Sequence, residues 1–365
     1  MGETKMLDLQ RYDSDAPRPN GPAVNMLLLG GLDPLCGGLP SPDAELAAAL
    51  AAQDIRCLAL KNDASSESGR IAANWAKDAG MNIVSLAGME GGALEETRAL
   101  LGGAVTLGAG KAEAEAFAPY VRNINGVRIG VLAVSERLAG GFDGRADILH
   151  PLVCNRVHML LAQCDHVVVL CHAGLAGTDL PLPEWRARFH RFVDAGASVV
   201  AVMSPGAVSG WEEYQNGLVF YGLGTVSADC ETAASRSLAV FLTLRQNGRF
   251  QYEARVLGQQ NGQIGFSGQT AWKDEINALN ALFLDGTAYL ERINALCRST
   301  YEAWRKGANP RAMLRRSLFG ALVPQANAKR ENEARLCALL SNESLRLAVL
   351  RAIAVKQANE DGGRI

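Results

Sequence analysis

The chain has 365 residues, a formal net charge of -2, 48% hydrophobic and 20% charged residues. Such a length accommodates one large α/β domain with an appendage, or two modest domains, and the composition is enough for a substantial core. A charge this close to zero advertises no polyanionic partner, which excludes nucleic acid as the expected ligand.

Residues 1–22, MGETKMLDLQRYDSDAPRPNGP, are polar, mixed in charge and rich in turn formers. They are expected to form a flexible N-terminal segment and lack the basic start and apolar run of a secretory signal. The first apolar stretch, Ala23 to Leu29, is too short to span a bilayer and reads as a buried strand. A cytoplasmic protein with no transmembrane segment is therefore expected. From Asn25, the runs NMLLLGGL, IRCLALKN, MNIVSL and GAVTLGAG are predicted strands, and DAELAAALAAQ, SGRIAANWAKDAG and ALEETRALL are the helices between them. Strands separated by helices predict a mainly parallel sheet, with chemistry in the loops at the carboxyl ends of the strands.

After Pro119, Asn125 and Gly126 mark a tight turn inside NINGVRIGVLAVS. A predicted helix over Pro151 to Gln163 precedes the strand DHVVVLCHAG, and WRARFHRFVDAG leads into ASVVAVMSPG. In WRARFHRF the aromatic stripe reads as core and the arginines as solvated. SLAVFLTLRQNGRFQYEARVL reads as a hairpin turning at Asn247 and Gly248. From Asp274 the composition shifts to helix formers, a break at Gly307 to Pro310 precedes two further helical stretches, and Asn342 with Glu343 marks a helix start. The expected organisation is a flexible segment over 1–22, an α/β domain including the hairpin over 23–270, and a helical region over 271–365. Eight cysteines without a CxxC pair read as reduced, buried thiols. LGAGKAEAE lacks the third glycine or GKS ending of a phosphate-cradling loop.

Several ordered motifs between Asn25 and Asp229 carry a likeness. SLAGMEGG from Ser85 is followed by TLGAGKAEAEAFAP, then by the strand VRIGVLAV and by VFYGLGT at Val219 to Thr225. In this order they resemble the CapA family, the metallophosphatase-like proteins associated with poly-gamma-glutamate and other capsule polymers. The resemblance implies an α/β, metallophosphatase-like layered fold of the CapA type with a C-terminal helical appendage. It also implies an association with capsule or exopolymer biosynthesis.

The same resemblance locates what has changed. Where relatives end the first strand in G-D, this chain has LLLGGLDPL, so Leu32 takes the matched position and Asp33 comes one residue late. On a strand, that displacement turns a side chain to the other face, so Asp33 either reaches the cleft from a loop or initiates an Asp-Pro turn. Asn62 and Asp63 keep oxygen donors near the end of the second strand, as ligands or as turn and cap residues. Met89 and Glu90 replace an Asn-His pair, which leaves Glu90 as a cleft acid or a solvated loop acid. His172 matches the histidine of H-W-G-x-E while Ala176 replaces its acid, and this histidine either contacts ligand or supports the loop. Met203, Ser204 and Gly206 stand where relatives have the histidines of G-H-H-P-H, with Pro205 retained.

The candidate ligand-binding residues are therefore Asp33, Asn62, Asp63, Glu90, His172 and Ser204, and the candidate for a catalytic role is His172. Too few donors remain for a two-metal centre, so no metal and no cofactor are expected. Adjacency on a strand sends Cys171 and His172 to opposite faces, which argues against a nucleophile-base pair. Cys36, in the loop after the first strand, is a further thiol near that end. The reading is a noncatalytic accessory or scaffold protein of capsule or exopolymer biosynthesis, with a degenerate cleft for an anionic or glycan-like ligand. A protein partner in a polymer-synthesis complex and self-association through the C-terminal helices are expected. The alternative is a hydrolase or an acyl or phosphoryl transferase with a site remodelled around His172, Asp33 and Glu90.

Overall fold

A computed structural model describes residues 21–34, 38–89, 92–136, 143–204, 207–227, 236–260, 262–267, 270–307 and 325–362. The expected flexible segment lies almost wholly outside the described residues. The chain divides into two compact units, one of Met1–Glu136 and Phe142–Leu284 and one of Arg137–Gly141 and Asp285–Ile365.

The first unit begins with the alternation read from the sequence. β1 (Ala23–Asp33), α1 (Ala44–Ala51), β2 (Ile55–Leu60), α2 (Glu67–Asp78), β3 (Ile83–Ser85), α3 (Leu94–Leu100) and β4 (Val105–Leu107) follow in order, and the four strands are parallel neighbours. Side chains set the helix starts. Asp43 Oδ1 accepts the Leu46 N–H at 2.7 Å and Ser66 Oγ accepts the Gly69 N–H at 3.0 Å, pairing donors that a first turn leaves open.

The sequence predicts one mainly parallel sheet, and the molecule has two. After the short α4 (Glu113–Ala116), β5 (Tyr120–Ile124) and β6 (Val127–Ser135) form an antiparallel hairpin. Asn125 and Gly126, with φ of 51° and 81°, supply the left-handed backbone that a two-residue hairpin turn requires. This hairpin starts a second sheet, continued by α5 (Val153–Leu161), β7 (His166–His172), α6 (Pro183–Asp194), β8 (Val199–Ser204), β9 (Trp211–Tyr214) and β10 (Gly217–Phe220). Its order is β5-β6-β7-β8-β10-β9. The chain then returns to the first sheet. β11 (Thr225–Ser227) pairs with the end of β1, and β12 (Ser237–Arg245), β13 (Phe250–Gln260) and β14 (Gln263–Phe266) extend that sheet in antiparallel fashion before α7 (Thr270–Leu282).

The two sheets face each other across one core. Val24, Met26 and Leu28 of β1 and Ile55, Cys57 and Ala59 of β2 meet Ile129, Val131 and Ala133 of β6 and Val168 and Leu170 of β7, as the two-residue period of a strand demands. The other face of the first sheet packs Leu27, Leu29, Leu58 and Leu60 against α1 and α2 through Leu46, Leu50, Trp75 and Ala76. Outside the second sheet, Val157 and Leu160 of α5 and Trp185, Phe189 and Phe192 of α6 are buried. The architecture is the layered α/β class read from the sequence, in a helix-sheet-sheet-helix form.

The aromatic stripe of α6 is core, but Arg186 beside it is not simply solvated. Its Nε and Nη2 donate to the buried Glu212 at 2.9 and 2.6 Å, and Nη2 also donates to the Phe283 carbonyl at 3.1 Å. His190 Nε2 lies 2.7 Å from the same carboxylate, and the Tyr221 hydroxyl donates to it as well. Burial by itself would raise the Glu212 carboxyl, yet bonds from His190, Arg186 and Tyr221 bring it down to about 2. Nearby, Asn280 of α7 accepts the Trp211 N–H at 2.8 Å and caps that point of the β9 edge.

The second unit consists of α8 (Gly286–Gly307), α9 (Gln325–Ser341) and α10 (Glu343–Gly362) among the described residues. α8 packs along α10, and Tyr289, Ile293 and Cys297 on one and Ala348, Val349 and Ala352 on the other are buried. Asn342 Oδ1 accepts the Leu345 N–H at 2.7 Å, at the helix start read from the sequence. Among the described residues, no helix is long and apolar enough to cross a membrane.

Candidate functional site

The carboxyl ends of the parallel strands of both sheets meet at one end of the first unit, the place where such sheets hold ligands. A Cβ on Gly31 in β1 would lie 3.7 Å from the Met203 carbonyl of β8, and Gly88, just past β3, lies directly against the imidazole of His172 at the end of β7. Residues 144–148 are threaded between the sheets. Gly110 N–H donates to the Gly144 carbonyl at 2.7 Å, Ala146 N–H to Gly108 at 2.9 Å, and Ser135 N–H to Ala146 at 2.8 Å. The glycine loop after β4 is thus a splice between the sheets.

His172 continues the alternation of Val168 and Leu170, facing the space between the sheets, in register with Ser135 on β6 and Ser204 on β8. Cys171 is fully buried on the opposite face and burial pushes its thiol up, so it forms no nucleophile-base pair with His172.

Asp33 closes β1, and a bulge offsets its one-residue displacement. Leu28 pairs with Cys57 and Gly31 with Ala59, so β1 advances three residues where β2 advances two. Leu27, Leu29 and then Leu32 lie in the outer core, and position 33 regains the phase of Val24, Met26 and Leu28. Asn62 and Asp63 serve their own loop. Asn62 Nδ2 donates to Ser68 Oγ at 3.1 Å. The buried Asp63 accepts the Ser65 N–H at 3.0 Å and the Ala93 N–H at 2.6 Å, tying the β2 exit to the start of α3. Glu90 and Cys36 lie outside the described residues, and of Asp33 and Ser204 only the backbone positions are described.

The structure adds residues that the sequence did not single out. Lys61 leaves β2 directly after Leu60, is exposed, and has no hydrogen bond or ion pair among the described residues. Arg145 bridges to Ala109 at the β4 exit, and its Nε and Nη2 donate to Asp143 at 3.1 and 2.6 Å. Burial, then the positive charges of Arg145 and Lys61, push His172 down to about 4, so it is a neutral imidazole at physiological pH. Ser135 Oγ is fully buried without a partner among the described residues. Glu136 fixes the backbone around His172: its N–H donates to the His172 carbonyl at 2.8 Å and its Oε2 accepts the Gly174 N–H at 3.3 Å. A lysine at the exit of a predicted parallel strand was a legible signal. Arg145 and Ser135 had none, because the groups that place them are remote in sequence.

Residues 60–229, which hold the exits of β2, β3, β4, β6, β7 and β8, match the family described as Bacterial capsule synthesis protein PGA_cap. This stretch, under half of the chain, is similar to the CapA family. A similar relative is the capsule biosynthesis protein CapA of Bacillus anthracis, 27% identical over 152 residues, or 39% of this chain and 37% of that protein. The match thus spans little more than a third of the relative's length. Similar solved structures include a hypothetical protein from Thermus thermophilus, with a TM-score of 0.44 and 16% identity over 65% of this chain and 100% of that one. Another is a novel phosphatase of Mycoplasma pneumoniae, with a TM-score of 0.44 and 11% identity over 66% of this chain and 96% of that one.

The CapA frame implies a metal centre at the strand ends, and the described residues do not fit one. Met89 and Met203, at positions where the family motifs place donors, are 6% and 0% exposed and belong to the two cores. Lys61 and Arg145 bring positive charge toward His172, which opposes a divalent cation beside it. Among the described residues, no group of three or more His, Cys, Asp or Glu could hold a metal ion.

Proposed function

We propose that the chain is a noncatalytic accessory or scaffold protein of capsule or exopolymer biosynthesis, acting in the cytoplasm, with the strand-end cleft retained for an anionic or glycan-like ligand. Met203 carries this reading. It is fully buried in the core between the sheets at a position where the family motif has a histidine, so apolar packing takes the place of coordination while β8 keeps its pairing. The second unit offers a surface for a protein partner in a polymer-synthesis complex or for a second copy. Leu336, Leu340 and Leu350 there are 51%, 55% and 57% exposed.

One observation favours a remodelled hydrolase or an acyl or phosphoryl transferase instead. The β1 bulge returns position 33 to the phase of the cleft, where Asp33 would act with His172 and Glu90. The two readings separate on purification of the full chain without chelators, followed by elemental analysis and a phosphoester hydrolysis screen. The expected result is no stoichiometric zinc or manganese and no turnover. About two metal equivalents per chain, as a two-metal site requires, with turnover that His172→Ala abolishes, would overturn the noncatalytic reading.

A further inference from the structure

We infer that the strand-end cleft is an oxyanion site, in which Lys61 and Arg145 take a phosphate or carboxylate group of the ligand and Ser135 donates a hydrogen bond to it. The inference deepens the noncatalytic reading and rests on it.

Three parts of the chain supply the groups. Lys61 follows Leu60 in phase with Ile55, Cys57 and Ala59, the residues of β2 that face the space between the sheets. Arg145 reaches the same end through its bridge to Ala109, on the segment that splices β4 to β6. Ser135 lies at the end of β6 in register with His172 and in phase with Val131 and Ala133, so it too faces between the sheets. Lys61 at the exit of β2 and Arg145 beside Ala109 at the exit of β4 flank the exit of β3, where Gly88 lies against the His172 ring. That ring fills the space that any side chain at position 88 would need, since a Cβ there would run into Nδ1.

Charge and hydrogen bonding then select the ligand. The described acids nearby are engaged: Asp63 with the backbone of Ser65 and Ala93, Asp143 with Arg145, Asp147 with the Leu149 N–H at 2.9 Å, and Glu136 with the Gly174 N–H at 3.3 Å. Asp143 occupies Nε and Nη2 of Arg145 and leaves Nη1 without a hydrogen bond among the described residues. Lys61 is likewise uncommitted among them. An ammonium and a guanidinium nitrogen at the exits of β2 and β4 complement an oxyanion, whose charge-assisted bonds exceed those of a neutral ligand. The buried Ser135 hydroxyl, with no acceptor among the described residues, is costly to leave unpaired and is satisfied by the same oxygen atoms.

The test titrates the full-length chain with inorganic phosphate in one arm and succinate in the other, by calorimetry at low ionic strength. Saturable binding of either probe is expected, and the arm that binds identifies the group as phosphate or carboxylate. Lys61→Gln, at an exposed side chain without a described partner, should leave the fold intact and weaken binding about tenfold, whereas Lys61→Arg should retain most of it. Ser135→Ala should weaken binding severalfold. The site is overturned if neither probe binds, or if Lys61→Gln and Ser135→Ala bind as the parent chain does. Failure to bind by a protein that also carries no metal would overturn this site alone; two metal equivalents would overturn the reading beneath it.

Discussion

A Cβ added at Gly88 would collide with the His172 ring, so Gly88→Ala must displace either the imidazole or the exit of β3. Overpacking of this kind costs about 1–3 kcal/mol. We expect a loss of that size in urea titration, together with a shifted His172 resonance; an unmoved resonance at parental stability would contradict the ring's placement. A larger loss is expected at Glu212→Gln, which keeps the shape but removes the charge facing Arg186. Breaking a buried pair costs about 3–5 kcal/mol, whereas Glu95→Gln, in an exposed cluster with Arg98 and Lys111, should change little. Equal effects at the two positions would refute the account of the Glu212 cluster.

At the scale of elements, the break in helical pattern at Gly307 to Pro310 suggests a place to shorten the chain, but packing points elsewhere. Ending the chain after position 309 leaves α8 without α10, which uncovers Tyr289, Ile293 and Cys297. Ending it after Leu284 removes all three helices of the second unit together. Residues 1–284 should unfold in one cooperative transition and scatter light as a monomer, while residues 1–309 should aggregate through the uncovered face of α8. If the shorter chain unfolds outright and the longer one stays soluble, the boundary is misplaced.

At the scale of the whole molecule, stability should fall on the acid side. Burial holds His166 and His172 below the ordinary histidine value of 6.5, His172 at about 4, so the folded state resists protons that the unfolded state accepts. Their effect is absent well above 6.5 and grows as pH falls below it, by at most about 1.4 kcal/mol per pH unit for each group. Glu212 has the opposite chemistry but the same direction. Lowered from 4.5 to about 2, it stabilises the fold above 4.5 and loses that contribution as pH falls toward 2. Urea midpoints should therefore decline steadily between about pH 7 and pH 5, and a flat profile over that range would contradict the burial of both imidazoles.

Much of the first unit and one helix start of the second were legible from local pattern, because hydrophobic period and capping chemistry act within a few residues. The runs that became β1, β2, β6, β7, β8, β12 and β13, the Asn125-Gly126 turn and the Asn342 helix start all carry such signals. β9 and β14, of four residues each, are too short for a period to register. The placement of His172 at a strand exit and the change to methionine at 89 and 203 were also readable, since an ordered family motif fixes position. Period alone says which face of a strand is apolar and leaves open which strands pair, so the division into two sheets came from tertiary structure. So did the bulge that rephases Asp33, which depends on how β1 pairs with β2. The placement of Lys61, Arg145 and Ser135 at the strand exits near His172 was likewise hidden, because bonds such as Gly110 N–H to Gly144 O join segments that no local pattern connects.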